Sequence, residues 1–176
     1  PNDVPGSWWK GKLWYAYGTS ITSTGYGKFA NYLQEISGLE LRNFGRPGEG
    51  IGEFGFQSTG EVFFDITSRD DGKEYADLIT LEVGANDIGE GVPIGDVYDH
   101  TQNTLCGCLN LCLEYLQRHT KAQIVLIPSI PGKWRSDTYK IYSDAEWLFR
   151  KIAFIHRVHW IEGDSNLGFG RIGDNS

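Results

Sequence analysis

The order of its segments predicts an α/β protein built on a five-stranded parallel sheet with helices on both faces. Three observations carry this. Short apolar runs rich in branched and aromatic residues alternate with stretches whose apolar residues recur at helical spacing. The first, third and fourth runs break at Gly18, Gly84 and Pro128, residues that punctuate strands. No internal repeat or low-complexity segment interrupts the alternation.

Each element has its own signal. Residues 13–17, Leu-Trp-Tyr-Ala-Tyr, read as a buried first strand. Residues 26–37 read as a helix with Phe29, Leu33 and Ile36 on one face, ended by Gly38. Residues 39–44 form a second strand. The next stretch, 45–60, holds Gly45, Gly48, Gly50, Gly52, Gly55 and Gly60, which is loop chemistry with room for one short helix. Residues 76–83 are a third strand. A helix is expected over 97–118, capped by Asp96, with Leu105, Cys108, Leu109, Cys112 and Leu116 as its apolar stripe. Residues 123–127 are a fourth strand. Ser143 and Glu146 read as the capping box of a helix running to about His156, and 158–161 as a short fifth strand.

At 176 residues the chain suits a single domain over 1–176, able to bury roughly two-thirds of its unfolded surface. A net charge of −7 argues against nucleic acid as a partner, because phosphate binding needs clustered Lys and Arg. No run of 18 apolar residues is present, so no membrane span is expected. No leader peptide is read at the start, and a chain that opens on Pro1 and holds no Met reads as an excised domain or as a sequence with residues missing. Six Trp are many for this length; core packing accounts for most, with sugar or aromatic stacking open to a few. Cys106, Cys108 and Cys112 make a poor disulfide framework and read as small apolar core residues, and no further ligands stand near them for a metal.

Parallel sheets bind ligands at the carboxyl ends of their strands. There the first strand leads into Gly18-Thr19-Ser20-Ile21-Thr22. The second leads into Asn43-Phe44-Gly45-Arg46-Pro47-Gly48, and the third into Gly84-Ala85-Asn86-Asp87. Singly, each is an ordinary turn, cap or loop. Together they describe an acyl-transfer site. Ser20 supplies the attacking oxygen. The N–H groups of Ser20 and Gly48 and the side-chain amide of Asn86 face the developing oxyanion, where each such donor is typically worth about 3–4 kcal/mol. Asp87 braces the loop that holds Asn86.

On these residues the chain resembles the SGNH (GDSL-like) hydrolase superfamily over nearly its whole length. Gly18 to Thr22 looks like the first block, Gly-Asp-Ser-x-Thr/Ser, with Thr19 in place of the usual Asp. Asn43 to Gly48 looks like the second, whose glycine gives an oxyanion N–H, and Gly84-Ala85-Asn86-Asp87 matches Gly-x-Asn-Asp, the third and most specific. The resemblance implies a flavodoxin-like three-layer α/β/α sandwich and a serine esterase that needs no metal or cofactor. It also implies an O-acyl ester substrate, with O-acetyl on a carbohydrate as the candidate.

The fourth block of that superfamily, Asp-x-x-His, is not found. A serine needs a base within hydrogen-bond reach. Asp96 precedes His100 by four residues at a helix start, His156 and His159 come too early, and no His follows Ile161. Three accounts fit: a chain that stops short of the block, a degenerate member, or His156 or His159 serving as base. The second account makes the chain a non-catalytic module that binds a carbohydrate or other ligand.

Other readings are weaker. Gly50-Ile51-Gly52-Glu53-Phe54-Gly55 fits a dinucleotide fingerprint but follows the second strand rather than the first. Residues 22–29 lack the leading Gly and trailing Ser/Thr of a phosphate loop. His156 and His159 lack a third metal ligand and read as ordinary histidines, and His119 suits a helix C-terminus. Trp134 and Trp147 flank the loop after the fourth strand; core packing is preferred for them over a place in a cleft.

Overall fold

A computed structural model describes residues 8–52, 60–128 and 139–161. Five strands, β1 (Leu13–Gly18), β2 (Glu40–Gly45), β3 (Leu78–Val83), β4 (Gln123–Pro128) and β5 (His159–Trp160), form one sheet in the order β2-β1-β3-β4-β5. Every pairing is parallel. Parallel neighbours require crossovers, and helices supply them: α1 (Phe29–Ser37) between β1 and β2, α2 (Glu61–Thr67) between β2 and β3, α3 (Ala85–Gly89) and α4 (Leu105–His119) before β4, and α5 (Tyr139–His156) before β5. The result is the expected three-layer α/β/α sandwich.

Alternation along β1 divides the core. Tyr15 and Tyr17 point to the face covered by α2, α4 and α5, where they join Ile79, Leu81, Ile66, Leu109, Leu113 and Ile152. Trp14 and Ala16 point to the other face and pack with Ala30 of α1 and with Leu39. The Trp14 indole N–H donates to Thr80 Oγ1 at 3.0 Å, so the one polar atom of this buried ring is satisfied. At the amino edge, Asp77 accepts from Leu13 N–H at 2.9 Å and from Lys12 Nζ at 3.1 Å. These bonds hook the start of β1 to the residue before β3; Ala76 N–H is taken by Lys73 O at 3.1 Å, closing a 3-10 turn over Lys73–Tyr75, and the third strand opens at Leu78 rather than residue 76.

Several sequence expectations shift, each for a local reason. The helix expected from 97 begins at Leu105, with Thr104 Oγ1 accepting from Gly107 N–H at 3.1 Å. Asp96 caps a turn instead, its carboxylate accepting from Tyr98 N–H at 3.1 Å. Ser143 lies inside α5, which starts at Tyr139, so Ser143 and Glu146 are not its capping box. In α1 the fully buried residue is Ala30, while Leu33 is 41% exposed. Trp147 is 56% exposed rather than packed in the core, and the Lys151 ammonium covers its ring at 3.5 Å from the centroid. Trp134 falls outside the described residues. Cys106, Cys108 and Cys112 are buried free thiols on α4, as their spacing suggested. Burial pushes the Cys106 thiol up to about 12.

Candidate active site

β1 lies between β2 and β3, so the three motif segments emerge side by side from the carboxyl edge of adjacent strands, about 4.8 Å apart per strand. Hydrogen bonds then tie the segments to one another. Arg46 N–H donates to Gly18 O at 2.8 Å, and Asn43 Nδ2 donates to Thr22 O at 2.7 Å, joining the loop after β2 to the turn after β1. Asn86 Nδ2 donates to Glu49 O at 2.6 Å, and Asp87 Oδ1 accepts from Gly52 N–H at 2.7 Å, joining α3 to the same loop. Ser20, Gly48 and Asn86 are thus brought to one sheet edge by bonds spanning 21 to 37 residues of sequence.

The Ser20 turn is tightly held. Thr19 O accepts from Thr22 N–H at 3.2 Å and Ser23 N–H at 3.1 Å. Ser20 O accepts from Gly27 N–H at 3.1 Å and Ser23 Oγ at 2.9 Å. Thr19, Thr22 and Ser23 are buried, while Ser20 is only partly covered. Gly45 makes room for this turn: a Cβ there would lie 2.3 Å from Ser23 N. The Ser20 hydroxyl has no hydrogen-bond partner among the described residues.

Gly48 has φ +81°, and nothing lies within 4 Å of where its Cβ would be. Glycine is therefore required by the backbone conformation, not by a crowding neighbour. An amide NH2 carries two donors, so Asn86 can hold Glu49 O with one and present the other. Asp87 is fully buried, and its Oδ2 has no hydrogen-bond partner among the described residues. Burial pushes its carboxyl up, against a downward pull from the Gly52 and Ile51 N–H groups. The carboxylate braces the loop after β2 as much as the one that holds Asn86.

The four histidines all stand elsewhere. His119 ends α4, with Nδ1 at 2.7 Å from Tyr115 O and its ring stacked on Tyr115. His100 Nε2 sits 2.8 Å from Glu114 Oε1, also on α4. His156 ends α5, at the amino edge of the sheet, and its Nε2 donates to Asn110 Oδ1 at 2.9 Å. Asn110 Nδ2 is committed to Val97 O and Asp99 O, which leaves its oxygen as the acceptor for that ring. His159 lies on β5, three strands from β1.

One participant was not read from the sequence. Glu82, on β3 and fully buried, accepts at Oε2 from Thr19 N–H at 2.9 Å, Thr19 Oγ1 at 2.8 Å and Thr22 Oγ1 at 3.2 Å. The signal was an acid inside an apolar strand, Leu81-Glu82-Val83, because a carboxylate seldom goes into a core without donors waiting for it.

No family model matches the chain, and no curated protein matches it by sequence. Solved structures do resemble it. A Lactobacillus plantarum protein aligns with TM-score 0.73 at 21% identity, over 90% of this chain and 80% of its own. A Bacteroides uniformis protein described as a GDSL-like lipase aligns with TM-score 0.64 at 17% identity, over 86% and 83%. AlinE4, an SGNH-hydrolase family esterase, aligns with TM-score 0.59 at 20% identity, over 95% and 86%. With its parallel order β2-β1-β3-β4-β5 and its motif turns at one sheet edge, the chain has the SGNH hydrolase fold.

Proposed function

We propose that this chain is the catalytic domain of a serine ester hydrolase with Ser20 as nucleophile. The observation that carries the reading is the hydrogen-bonded linkage of the segments that hold Ser20, Gly48 and Asn86, at the ends of three adjacent strands. Resemblance to SGNH esterases and lipases supports the same reaction class. Ser20 Oγ attacks the ester carbonyl carbon. The oxyanion that forms faces the N–H groups of Ser20 and Gly48 and the free amide hydrogen of Asn86, donors already held in place before reaction. Collapse expels the alcohol and leaves an acyl group on Ser20, which water then removes. The substrate class is a small O-acyl ester, with O-acetyl groups on a carbohydrate as the first candidates. In this reading the Ser20 proton goes to a base other than the four histidines described above, none of which stands at the Ser20 turn. His156 stands at the opposite edge of the sheet and His159 on its far strand.

A second reading, an SGNH-fold module that binds a ligand without turnover, is favoured by the absence of any histidine partner for the Ser20 hydroxyl among the described residues. One experiment separates the two. The full-length natural protein and its Ser20→Ala variant are assayed on p-nitrophenyl acetate. Loss of activity on the order of 10³-fold or more in the variant is expected. Equal rates in the two would remove Ser20 as nucleophile.

A further inference from the structure

We propose that Glu82 is the positioning residue of the nucleophile turn, acting on Ser20 through Thr19 and Thr22; the inference rests on Ser20 being the nucleophile. Three hydrogen bonds reach Glu82 Oε2 from this turn, from both sides of Ser20. A carboxylate accepts without donating, so its partners must be donors, and a charged acceptor makes each bond stronger than a neutral one. Glu82 sits in the middle of the sheet on β3, next to β1, where the backbone is held by strands on both sides. A rigid strand thereby sets the Thr19 peptide, and with it the direction in which the next residue projects Cβ and Oγ.

Two sequence features that were otherwise unexplained follow from this anchor. The first is Gly18. A Cβ at that position would stand 2.2 Å from Thr22 Oγ1 and 2.9 Å from Glu82 Oε2, so the three-way contact forms only if the residue before Thr19 has no side chain. The second is Thr19 itself. The superfamily block that the turn resembles has Asp there, and an aspartate facing Glu82 would set two carboxylates against each other with no donor between them. Threonine is the complementary choice, adding a hydroxyl donor to the backbone donor of the same residue.

The test measures turnover per reactive serine, with active sites counted by a fluorophosphonate, in the full-length protein and in Glu82→Gln, Thr19→Val, Thr19→Ser and the Thr19→Val/Glu82→Gln double variant. Displacing a nucleophile by a fraction of an ångström to about 1 Å costs on the order of tenfold to 10²-fold in kcat. Thr19→Val and Glu82→Gln are therefore each expected to lose about tenfold in kcat with KM within about twofold. Thr19→Ser, which keeps both donors, should stay within about twofold of wild type. The double variant should be no slower than the worse single one, because both changes break one linkage. A purely structural role predicts a lower Tm with wild-type turnover per titrated site. That result, or losses that multiply in the double variant, overturns the proposal. If Glu82→Gln does not fold, the Thr19→Val and Thr19→Ser pair decides. Ser20→Ala matching wild type would instead overturn the esterase reading and this inference with it, whereas a dead Ser20→Ala beside a fully active Glu82→Gln and Thr19→Val overturns the role of Glu82 alone.

Discussion

Asp87 is a carboxyl group in a place that disfavours its charge. It is fully buried, and the bond from Gly52 N–H at 2.7 Å satisfies Oδ1 while Oδ2 finds no partner among the described residues. Its carboxyl is raised above the ordinary 3.8, burial being the cause. The unfolded chain therefore releases this proton at lower pH than the folded chain does. Stability falls as pH rises from about 3.8 through the raised value, and the loss persists above it. Asp87→Asn keeps an acceptor for Gly52 and abolishes the titration. Its Tm relative to wild type should climb by a few degrees between about pH 4 and about pH 7, as thermal melts at matched pH would record. Parallel curves would mean that Asp87 carries no such penalty. The expectation that this residue braces a loop came from Gly-Ala-Asn-Asp. Its partner was not legible there, because Gly52 lies 35 residues away and nothing in a loop sequence names the N–H a carboxylate will find.

At the scale of elements, the loop after β2 is anchored from its side by α2. Arg46 binds Asp65 through Nε at 2.8 Å and Nη2 at 3.1 Å, and Arg69 adds a bond at 3.1 Å. The Asp65 side chain is 1% exposed, while the two arginines are 39% and 42% exposed, so water screens half of each pair. Asp65→Ala frees both cations to solvent and should cost about 1–3 kcal/mol, a loss a denaturant melt would register. Arg46 also donates its N–H to Gly18 O, two residues before Gly48, so the same variant should lower esterase turnover. A melt unchanged within about 0.5 kcal/mol would show the network to be ornamental. The helix was missed in the sequence because seven residues give two turns at most, and its Val62, Phe63 and Ile66 follow a glycine-rich stretch that reads as loop. The start of α4 was misplaced for a related reason. Asp96 and Thr104 are both good caps, and only the contact of Asp99 with Thr104 Oγ1 at 2.9 Å decides between them.

For the molecule as a whole, the parallel order ranks the strands by protection. β1 and β3 lie inside the sheet between packed layers, with Trp14, Tyr17, Ile79 and Leu81 fully buried. β2 is an edge strand with Glu40 and Arg42 exposed, and β5 is an edge strand of two residues. Amides of β1 and β3 should exchange only through global unfolding, and those of β2 and β5 at least about tenfold faster, as hydrogen exchange followed by mass spectrometry would resolve. Uniform protection across the five strands would contradict this ranking. In the proposed esterase reading the ranking matters because the Ser20 turn and Asn86 follow these two strands, β1 and β3.

The sequence by itself determined the fold class, the parallel sheet and the three motif turns, because all of these rest on local signals: periodicity, strand-breaking glycines and short runs of residue types. Only the tertiary structure decided which residues meet. Strand order set Ser20 between Gly48 and Asn86, yet that order depends on crossovers far longer than any motif. The same holds for Glu82 and Thr19, 63 residues apart and bonded at the heart of the site. An acid in an apolar strand announces that it needs donors, but their identity is fixed by the register of neighbouring strands, which no local pattern encodes.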